Sequence, residues 1–251
     1  MRTAPLTLLA CLLCALTAPR TPAQQPDFRR RIQFSGYEWN VKNSPVRTAP
    51  GDNFFSNASE SVFVDGRGAL HLKLRRAGGA WQAAEVVLAR SLGYGTYRFE
   101  LETRIDALDS NVVAGFFTWS DRPEYSHREI DVEFSRWGAP LAGTNAQYVV
   151  QPPREQSMHR FLAAQTGDYS SHRILWEPDA VSFDSRHGHP EEGMPFDLLS
   201  PMAPAWTYRG EDVPRAGGER FRMNLYLYRG EAPRDGRDVE LVLRSFTFLP
   251  R

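Results

Sequence analysis

The sequence predicts an all-β fold, either a β-sandwich or a β-barrel. Short stretches of alternating apolar and polar residues recur along the 251-residue chain, without sustained helical periodicity. Turn-forming residues separate these stretches, with breaks that contain Gly or Pro at 44–45, 50–52, 65–68, 78–79 and 216–218. Many short strands with this punctuation are typical of a sandwich or barrel.

Several strands can be placed from the pattern in the first two thirds of the chain. Residues 97–102 alternate apolar and charged side chains, which predicts a strand buried on one face. Residues 112–119 are almost continuously apolar, which predicts a central strand covered on both faces. Residues 172–176 and 180–183 flank the turn at 177–179 and predict a hairpin.

The last third contains two further strands and a long irregular segment. Apolar residues alternate with polar or aromatic ones over 221–228, and the last strand is predicted at about 239–248. Residues 184–220 are rich in Pro and Gly, and a loop of this length in a compact domain is usually functional. We therefore expect it to be functional or a cleft wall. Because no repeat or linker is visible, we expect one domain.

The first 23 residues have the anatomy of a secretory signal peptide: a short basic start, an apolar stretch and a small-residue end. Cleavage is expected after Ala18 or Ala23. The predicted organisation is therefore a signal peptide at 1–23 and one domain at 24–251, secreted to an extracellular or periplasmic location. Both cysteines, Cys11 and Cys14, lie in the signal, so the mature domain would have no disulfide and no cysteine metal site.

The charge balance limits the classes of partner. Removal of residues 1–23 takes away Arg2 and Arg20 and leaves 28 basic against 30 acidic residues. Such a surface argues against a nucleic acid or an anionic membrane as the main partner. No later segment approaches the ~20 apolar residues that a transmembrane helix needs, so we expect no membrane span. We expect a monomer.

The pentapeptide Glu129-Ile130-Asp131-Val132-Glu133 places three acids at every second position. Successive side chains of a β-strand point to opposite faces, so the three carboxylates would share one face. On a flat strand the Cα atoms of Glu129 and Glu133 would be roughly 13 Å apart. Each side chain reaches about 4 Å. The remaining gap of about 5 Å is compatible with the ~5–5.5 Å between the carboxyl groups of a retaining glycosidase.

Two interpretations of this pentapeptide follow. The first is a half-buried strand with a solvated acidic face, and the second is a catalytic carboxylate pair with Asp131 between its members. Trp119 and Trp137 flank the pentapeptide, and indole rings stack well on the apolar faces of sugars. Tryptophans are also common in protein cores. The pair of indoles favours the catalytic interpretation.

The segment HREIDVEFSRWG (127–138) resembles the signature of glycoside hydrolase family 16, the secreted glucanases. Weaker similarities follow in the family's order at 34–44, 51–57, 64–74, 112–119, 170–184 and 219–230. The five-residue Glu-x-Asp-x-Glu form is similar to the lichenase-like and xyloglucan-active variant. The resemblance implies a concanavalin A-like lectin/glucanase jelly roll, a β-sandwich of two antiparallel sheets with a concave substrate cleft.

The resemblance also implies roles for individual residues. Glu129 matches the nucleophile, Glu133 the general acid and base, and Asp131 the assisting carboxylate. The implied substrate-binding residues are Trp119, Trp137, Asn145, Gln147, Asn224 and Tyr226. His127 and Tyr226 stand where the family often has Trp, which leaves the particular glucan open.

The implied activity is retaining, endo-acting hydrolysis of a β-linked polysaccharide, with a β-1,3/1,4-glucan first among the substrates. A lectin-like carbohydrate-binding module and a transglycosylase are the alternatives on the same fold. No cofactor is required, although family members can carry a structural calcium ion. His187 and His189, with Glu191 and Glu192, lack a third ligand at a recognisable spacing, so we expect a solvated loop and no metal site there.

Overall fold

The computed structural model describes residues 25–251, which form sixteen strands and five short 3-10 turns. The predicted signal peptide lies outside the described residues. The strands are β1 (Asp27–Phe34), β2 (Tyr37–Thr48), β3 (Asn53–Phe55), β4 (Val62–Val64), β5 (Leu70–Ala77), β6 (Ala80–Leu88), β7 (Gly95–Leu101), β8 (Val112–Trp119), β9 (Ile130–Phe134), β10 (Ala146–Val150), β11 (Met158–Phe161), β12 (Ser170–Trp176), β13 (Val181–His187), β14 (Trp206–Tyr208), β15 (Arg220–Leu227) and β16 (Val239–Pro250). The 3-10 turns span Ile105–Ala107, Ser126–Arg128, Glu155–Ser157, Phe196–Leu198 and Tyr228–Gly230. Within 25–251, no helix is long and apolar enough to cross a membrane.

The strands form a curved β-sandwich, which confirms the predicted jelly-roll class. The front sheet runs β11-β10-β9-β8-β15-β6-β2-β1, and the back sheet runs β4-β5-β16-β7-β12-β13-β14. The two are joined where β5 pairs with β6 in a hairpin at Ala77↔Ala80. All strand pairs are antiparallel except β3 with β6, among the described residues.

The core lies between the two sheets and is filled by aromatic side chains. Phe99 on β7 stacks on Phe116 on β8 with ring centroids 4.2 Å apart, which joins the back sheet to the front sheet. Phe246 on β16 contacts Phe221 on β15 across the same core, with ring centroids 5.0 Å apart and the rings tilted by 34°. Because antiparallel strands alternate their faces, the other face of β8 and β15 is left free to build a site.

The structure confirms the strands placed from the pattern. β8 has the predicted bounds, and the hairpin forms between β12 and β13 with Trp176 opposite Val181. The expectation for residues 184–220 is wrong in one respect, because this segment does not line the acidic cleft described below. Part of it covers the back sheet, where Phe196 packs under Arg98 and Arg173.

Candidate active site

A cavity of about 210 Å³ opens on the free face of the front sheet. Glu129, Asp131 and Glu133 all line it, so the three carboxylates share one face as the alternation predicts. Ile130, Val132 and Phe134 point the other way and are buried in the core. Glu129 itself precedes β9 and has extended backbone angles, which continues the alternation by one residue.

The antiparallel register builds the floor of this cavity. Glu133 on β9 lies opposite Gln147 on β10 and Gly115 on β8. Gly115 in turn lies opposite Asn224 on β15, and Asn224 opposite Glu85 on β6. Residues in register on neighbouring strands point to the same face of a sheet, so these five form one polar row across the cleft.

Gly115 leaves space for the amide of Asn224 in this row. A Cβ atom at position 115 would lie 2.6 Å from Asn224 Oδ1. We expect Gly115→Ala to displace the amide and to lower the free energy of unfolding by about 1–3 kcal/mol, the usual range for overpacking. The measurement is urea unfolding, with Gly143→Ala as the control because a Cβ there meets no atom within 4 Å. Equal stability of the two variants would show that the row tolerates the methyl group.

Glu133 is held by donors on two sides. Gln147 Nε2 donates to Glu133 Oε2 at 2.6 Å, and the Tyr226 hydroxyl donates to Oε1 at 3.4 Å. Arg160 Nε donates to Gln147 Oε1 at 3.1 Å, which fixes the orientation of that amide. These bonds fix the direction of the Glu133 carboxylate.

Asp131 lies between the two glutamates and is almost fully buried. Gln151 Nε2 donates to Asp131 Oδ2 at 2.9 Å. Burial and the charges of Glu129 and Glu133 raise the pKa of Asp131 well above its usual value. A carboxyl group in this position is expected to hold a proton and to share it with Glu129, its hydrogen-bond partner.

The two glutamates also have raised pKa values. Burial and the charge of Glu133 raise the pKa of Glu129 to about 7, against the lowering effects of Asp131 and Arg222. Burial raises the pKa of Glu133, while Gln147, Tyr226 and Arg160 oppose the rise. Carboxyl groups this close titrate as a set. Such a set is suited to acid–base chemistry, because one carboxyl group can hold a proton while another is ionised.

Sequence reasoning missed a buried group of charges in the same cavity. Lys42 Nζ lies 3.2 Å from Glu85 Oε2, and Arg222 Nη1 lies 3.1 Å from Glu85 Oε1. Arg222 occupies the polar face of β15 between Arg220 and Asn224, so the alternation could have found it. Lys42 and Glu85 come from distant strands, and no local signal joins them.

The chain enters the site through an unusual turn. Tyr125, Ser126, His127 and Arg128 all have φ between 50° and 62°, a left-handed conformation that costs non-glycine residues roughly 1–2 kcal/mol each. The turn lays the His127 ring on Trp119 at 4.2 Å and 6°, with Nδ1 2.9 Å from the Ser120 carbonyl oxygen. Trp119 lines the cavity, but His127 covers one face of its indole.

The other predicted binding residues fall into two groups. Asn224 and Tyr226 line the cavity, and Asn224 Oδ1 is buried without a hydrogen-bond partner among residues 25–251. Gln147 does not line it, because both ends of its amide are engaged by Glu133 and Arg160. Trp137 also lies outside the cavity wall, and Arg160 covers its ring at 5.1 Å.

The prediction for Asn145 is wrong. Its Oδ1 accepts from the Ala163 N–H at 2.7 Å, and its Nδ2 donates to the Ala163 carbonyl at 3.0 Å. Asn145 therefore pins the segment after β11 to the start of β10, and its side chain is buried away from the cleft. The structure places Asn145 one residue before β10, where its side chain turns to Ala163 instead of the cleft.

The described residues bring together no group of three or more His, Cys, Asp or Glu that could hold a metal ion. His187 and His189 have ordinary partners: His187 Nδ1 accepts from the Thr166 N–H, and His189 contacts the Leu101 carbonyl and Arg244. No calcium ligands can be assigned from these residues.

Comparison with known proteins gives similarity in structure and none in sequence. No protein-family model matches the chain, and no curated protein matches it. Among solved structures, the Bacillus licheniformis β-glucanase is similar with a TM-score of 0.60 and 17% identity over 85% of this chain and 92% of that one. A β-1,3-glucanase from Mycobacterium marinum gives 0.60 and 15%, over 90% and 100%.

A third similar structure is described as Rv0315, an immunostimulatory antigen and pseudo β-1,3-glucanase of Mycobacterium tuberculosis. Its TM-score is 0.61 with 19% identity, over 85% of this chain and 91% of that one. At identities this low, the structural similarity establishes the shared fold alone. Proteins with this fold include glucanases and a protein described as a pseudo-enzyme. This chain therefore has the jelly-roll fold of the β-glucanases.

Proposed function

We propose that this protein is a secreted, retaining endo-glycoside hydrolase of the family 16 type, acting on a β-linked polysaccharide. The observation that carries the proposal is the set of three carboxylates with raised pKa values on one face of β9, inside a cavity on the front sheet. Three crowded acids, of which Asp131 is buried and the two glutamates are partly buried, cost stability, and a merely solvated face would avoid that cost. Catalysis explains why they are kept together.

In the first step, ionised Glu129 attacks the anomeric carbon while protonated Glu133 gives its proton to the leaving oxygen. The product is an ester between Glu129 and the sugar. Asp131, neutral and bonded to Glu129, supports the carboxylate without adding a charge.

In the second step, Glu133 takes a proton from water, which attacks the anomeric carbon and releases Glu129. The negative charge of Glu129 is absent in the ester, so the repulsion that held the proton on Glu133 is removed. Gln147 and Tyr226 then stabilise the ionised form of Glu133. The same donors therefore favour the change of Glu133 from acid to base.

Polar and aromatic groups around the acids are suited to a sugar ring. Asn224 and Tyr226 both line the cavity, together with Trp119. Similarity in fold to β-glucanases supports a mixed β-1,3/1,4-glucan as the first substrate to test.

The test is release of reducing sugar from mixed-linkage glucan, laminarin, xyloglucan, agarose and carrageenan. We expect release from at least one of them, with mixed-linkage glucan first, and none with Glu129→Gln. Binding without release would favour a lectin-like module. Formation of longer glycans without a net gain in reducing ends would indicate transglycosylation.

A further inference from the structure

The Lys42–Glu85–Arg222 triad is buried beside the three acids. The exposed fractions of the Lys42 and Glu85 side chains are 6% and 1%, and that of Arg222 is 10%. Burying charges is expensive, and a triad is seldom the most stable way to fill such a space. This one lines the same cavity as Glu129, which suggests an electrostatic task there.

The triad carries one positive charge in excess, since two cations share the single carboxylate of Glu85. Arg222 also approaches Asp121 at 3.4 Å, but the Asp121 side chain is 79% exposed and its charge is screened by water. One excess cation in a buried cavity balances one anion. The mechanism needs one anion among the three acids, and it must be Glu129.

The donors that surround Glu133 create a competing demand. Gln147 and Tyr226 both donate to Glu133, and these bonds favour the ionised form of the wrong glutamate for the first step. A cation on the Glu129 side is therefore needed to direct the negative charge.

Arg222 is placed to act on Glu129. It lies opposite Phe117 on β8, which lies opposite Asp131, so Arg222 is two strands from the acids, about 10 Å between Cα atoms. Its guanidinium group is held by Glu85 and lies 5.8 Å from the centre of the Trp119 ring, and Arg222, Trp119 and Glu129 line the same cavity. The positive charge of Arg222 lowers the pKa of Glu129, whereas the cation that acts on Glu133 is Arg160.

Few other charges reach this position. The titratable and charged groups around Glu129 in the cavity are Asp131 and Glu133 on its own segment, Arg222 and Tyr226 on β15, Glu85 on β6 and Lys42 on β2. Lys42 also donates to the Ala49 carbonyl at 2.7 Å, which holds it beside Glu85. Arg222 is therefore the cation with the most direct effect on the nucleophile.

We propose that Arg222, held by the Lys42–Glu85 pair, is a positioning residue that keeps the negative charge of the free site on Glu129 and leaves the proton on Glu133. The proposal rests on the hydrolase function above. It assigns a role to three residues whose strands meet only in the folded protein.

The test measures the titration of Glu129 directly. In protein labelled with ¹³C at the glutamate carboxyl carbons, the Glu129 signal is assigned by its loss in Glu129→Gln and followed with pH by NMR. We expect Arg222→Gln to raise the pKa of Glu129 by about one unit or more, because a favourable charge is lost. The acidic limb of the kcat profile should move up by the same amount, with little change in KM.

Arg220→Gln is the matched control. Arg220 lies on the same strand and approaches the same Asp121 at 3.7 Å, but it is outside the cavity. We expect its removal to leave the Glu129 titration unchanged. An equal shift in both variants, or none in Arg222→Gln, would overturn the proposal.

Two further variants separate charge from folding damage. Arg222→Lys keeps the cation and should retain most of the wild-type titration. The double variant Arg222→Gln/Glu85→Gln leaves Lys42 as the excess cation and should return the pKa of Glu129 towards the wild-type value. If Arg222→Gln does not fold, Glu85→Gln tests the same charge with the opposite sign: loss of the carboxylate that both cations share should lower the pKa of Glu129, and an unchanged titration would refute the proposal. If the titration shifts but no glycan is hydrolysed, the proposed function fails and the electrostatic role stands.

Discussion

Replacing Glu129 by Gln is expected to lower kcat by a factor on the order of 10³ to 10⁵, because the amide cannot attack the anomeric carbon. Glu133→Gln should lower kcat on polysaccharide by about 10² to 10⁴, the usual contribution of a general acid. Initial rates of reducing-sugar release on the substrate found in the panel measure both effects. Full activity in Glu129→Gln would end the proposed mechanism.

Leaving-group dependence separates the two roles. The phenolate of an aryl glycoside with an acidic phenol can leave without being protonated. On such a substrate, the first step in Glu133→Gln should therefore be nearly as fast as in the wild type. The first step in Glu129→Gln should not be, since the nucleophile is missing for every substrate. Identical behaviour of the two variants would contradict the assignment of distinct roles.

Melting temperatures distinguish a loss of catalysis from a loss of folded protein in these variants. The pKa of Glu129 rises from 4.5 to about 7 on folding, so its ionisation disfavours the folded state as pH rises through that interval. Removing the carboxyl group removes this penalty. We therefore expect Glu129→Gln to melt at the same temperature as wild type at pH 4, a pH chosen for the test, and at a higher one at pH 8.

The second large effect is on folding. Phe99→Ala is expected to lower the free energy of unfolding by about 3–5 kcal/mol, the range for loss of a buried phenylalanine. Phe99 is fully buried on β7 and stacks on Phe116, directly behind the cleft strands. Since a typical domain is stable by only 5–15 kcal/mol, the variant should lose a large part of its stability.

Urea unfolding followed by tryptophan fluorescence measures this loss. Leu249→Ala is the control, because Leu249 on the back sheet is 54% exposed and its truncation should change stability by no more than about 0.5 kcal/mol. Equal effects of the two variants would contradict the packing of β7 against β8.

Much of the fold could be predicted from local patterns. The alternation in β7 and the apolar run in β8 predicted strands correctly, because the order of apolar and polar residues within a strand shows which of its faces are buried. The segment 184–220 could not be placed, because its contacts with Arg98 and Arg173 depend on which sheet it meets. Composition identified it as irregular, which missed the end of β13 and the short strand β14, and it could not say where the segment lies.

The site shows the same division. The three acids share a face because alternation within one strand is a local rule. The family resemblance implied a sugar contact for Asn145, but this residue lies just before β10 and turns to Ala163. The Lys42–Glu85–Arg222 triad could not be predicted, because it depends on the register of three strands. The left-handed turn at 125–128 could not be predicted either, because it contains no glycine. Both are properties of the folded chain.

The central claim is that Glu129 forms a covalent bond to the sugar. The most direct measurement is mass spectrometry after incubation with a 2-deoxy-2-fluoro glycoside, whose fluorine slows release of the ester more than its formation when the leaving group is activated. We predict one added glycosyl mass, located by peptide fragmentation on Glu129, and no addition in Glu129→Gln. Labelling at any other residue, or hydrolysis with inversion of the anomeric configuration, would contradict the double-displacement mechanism.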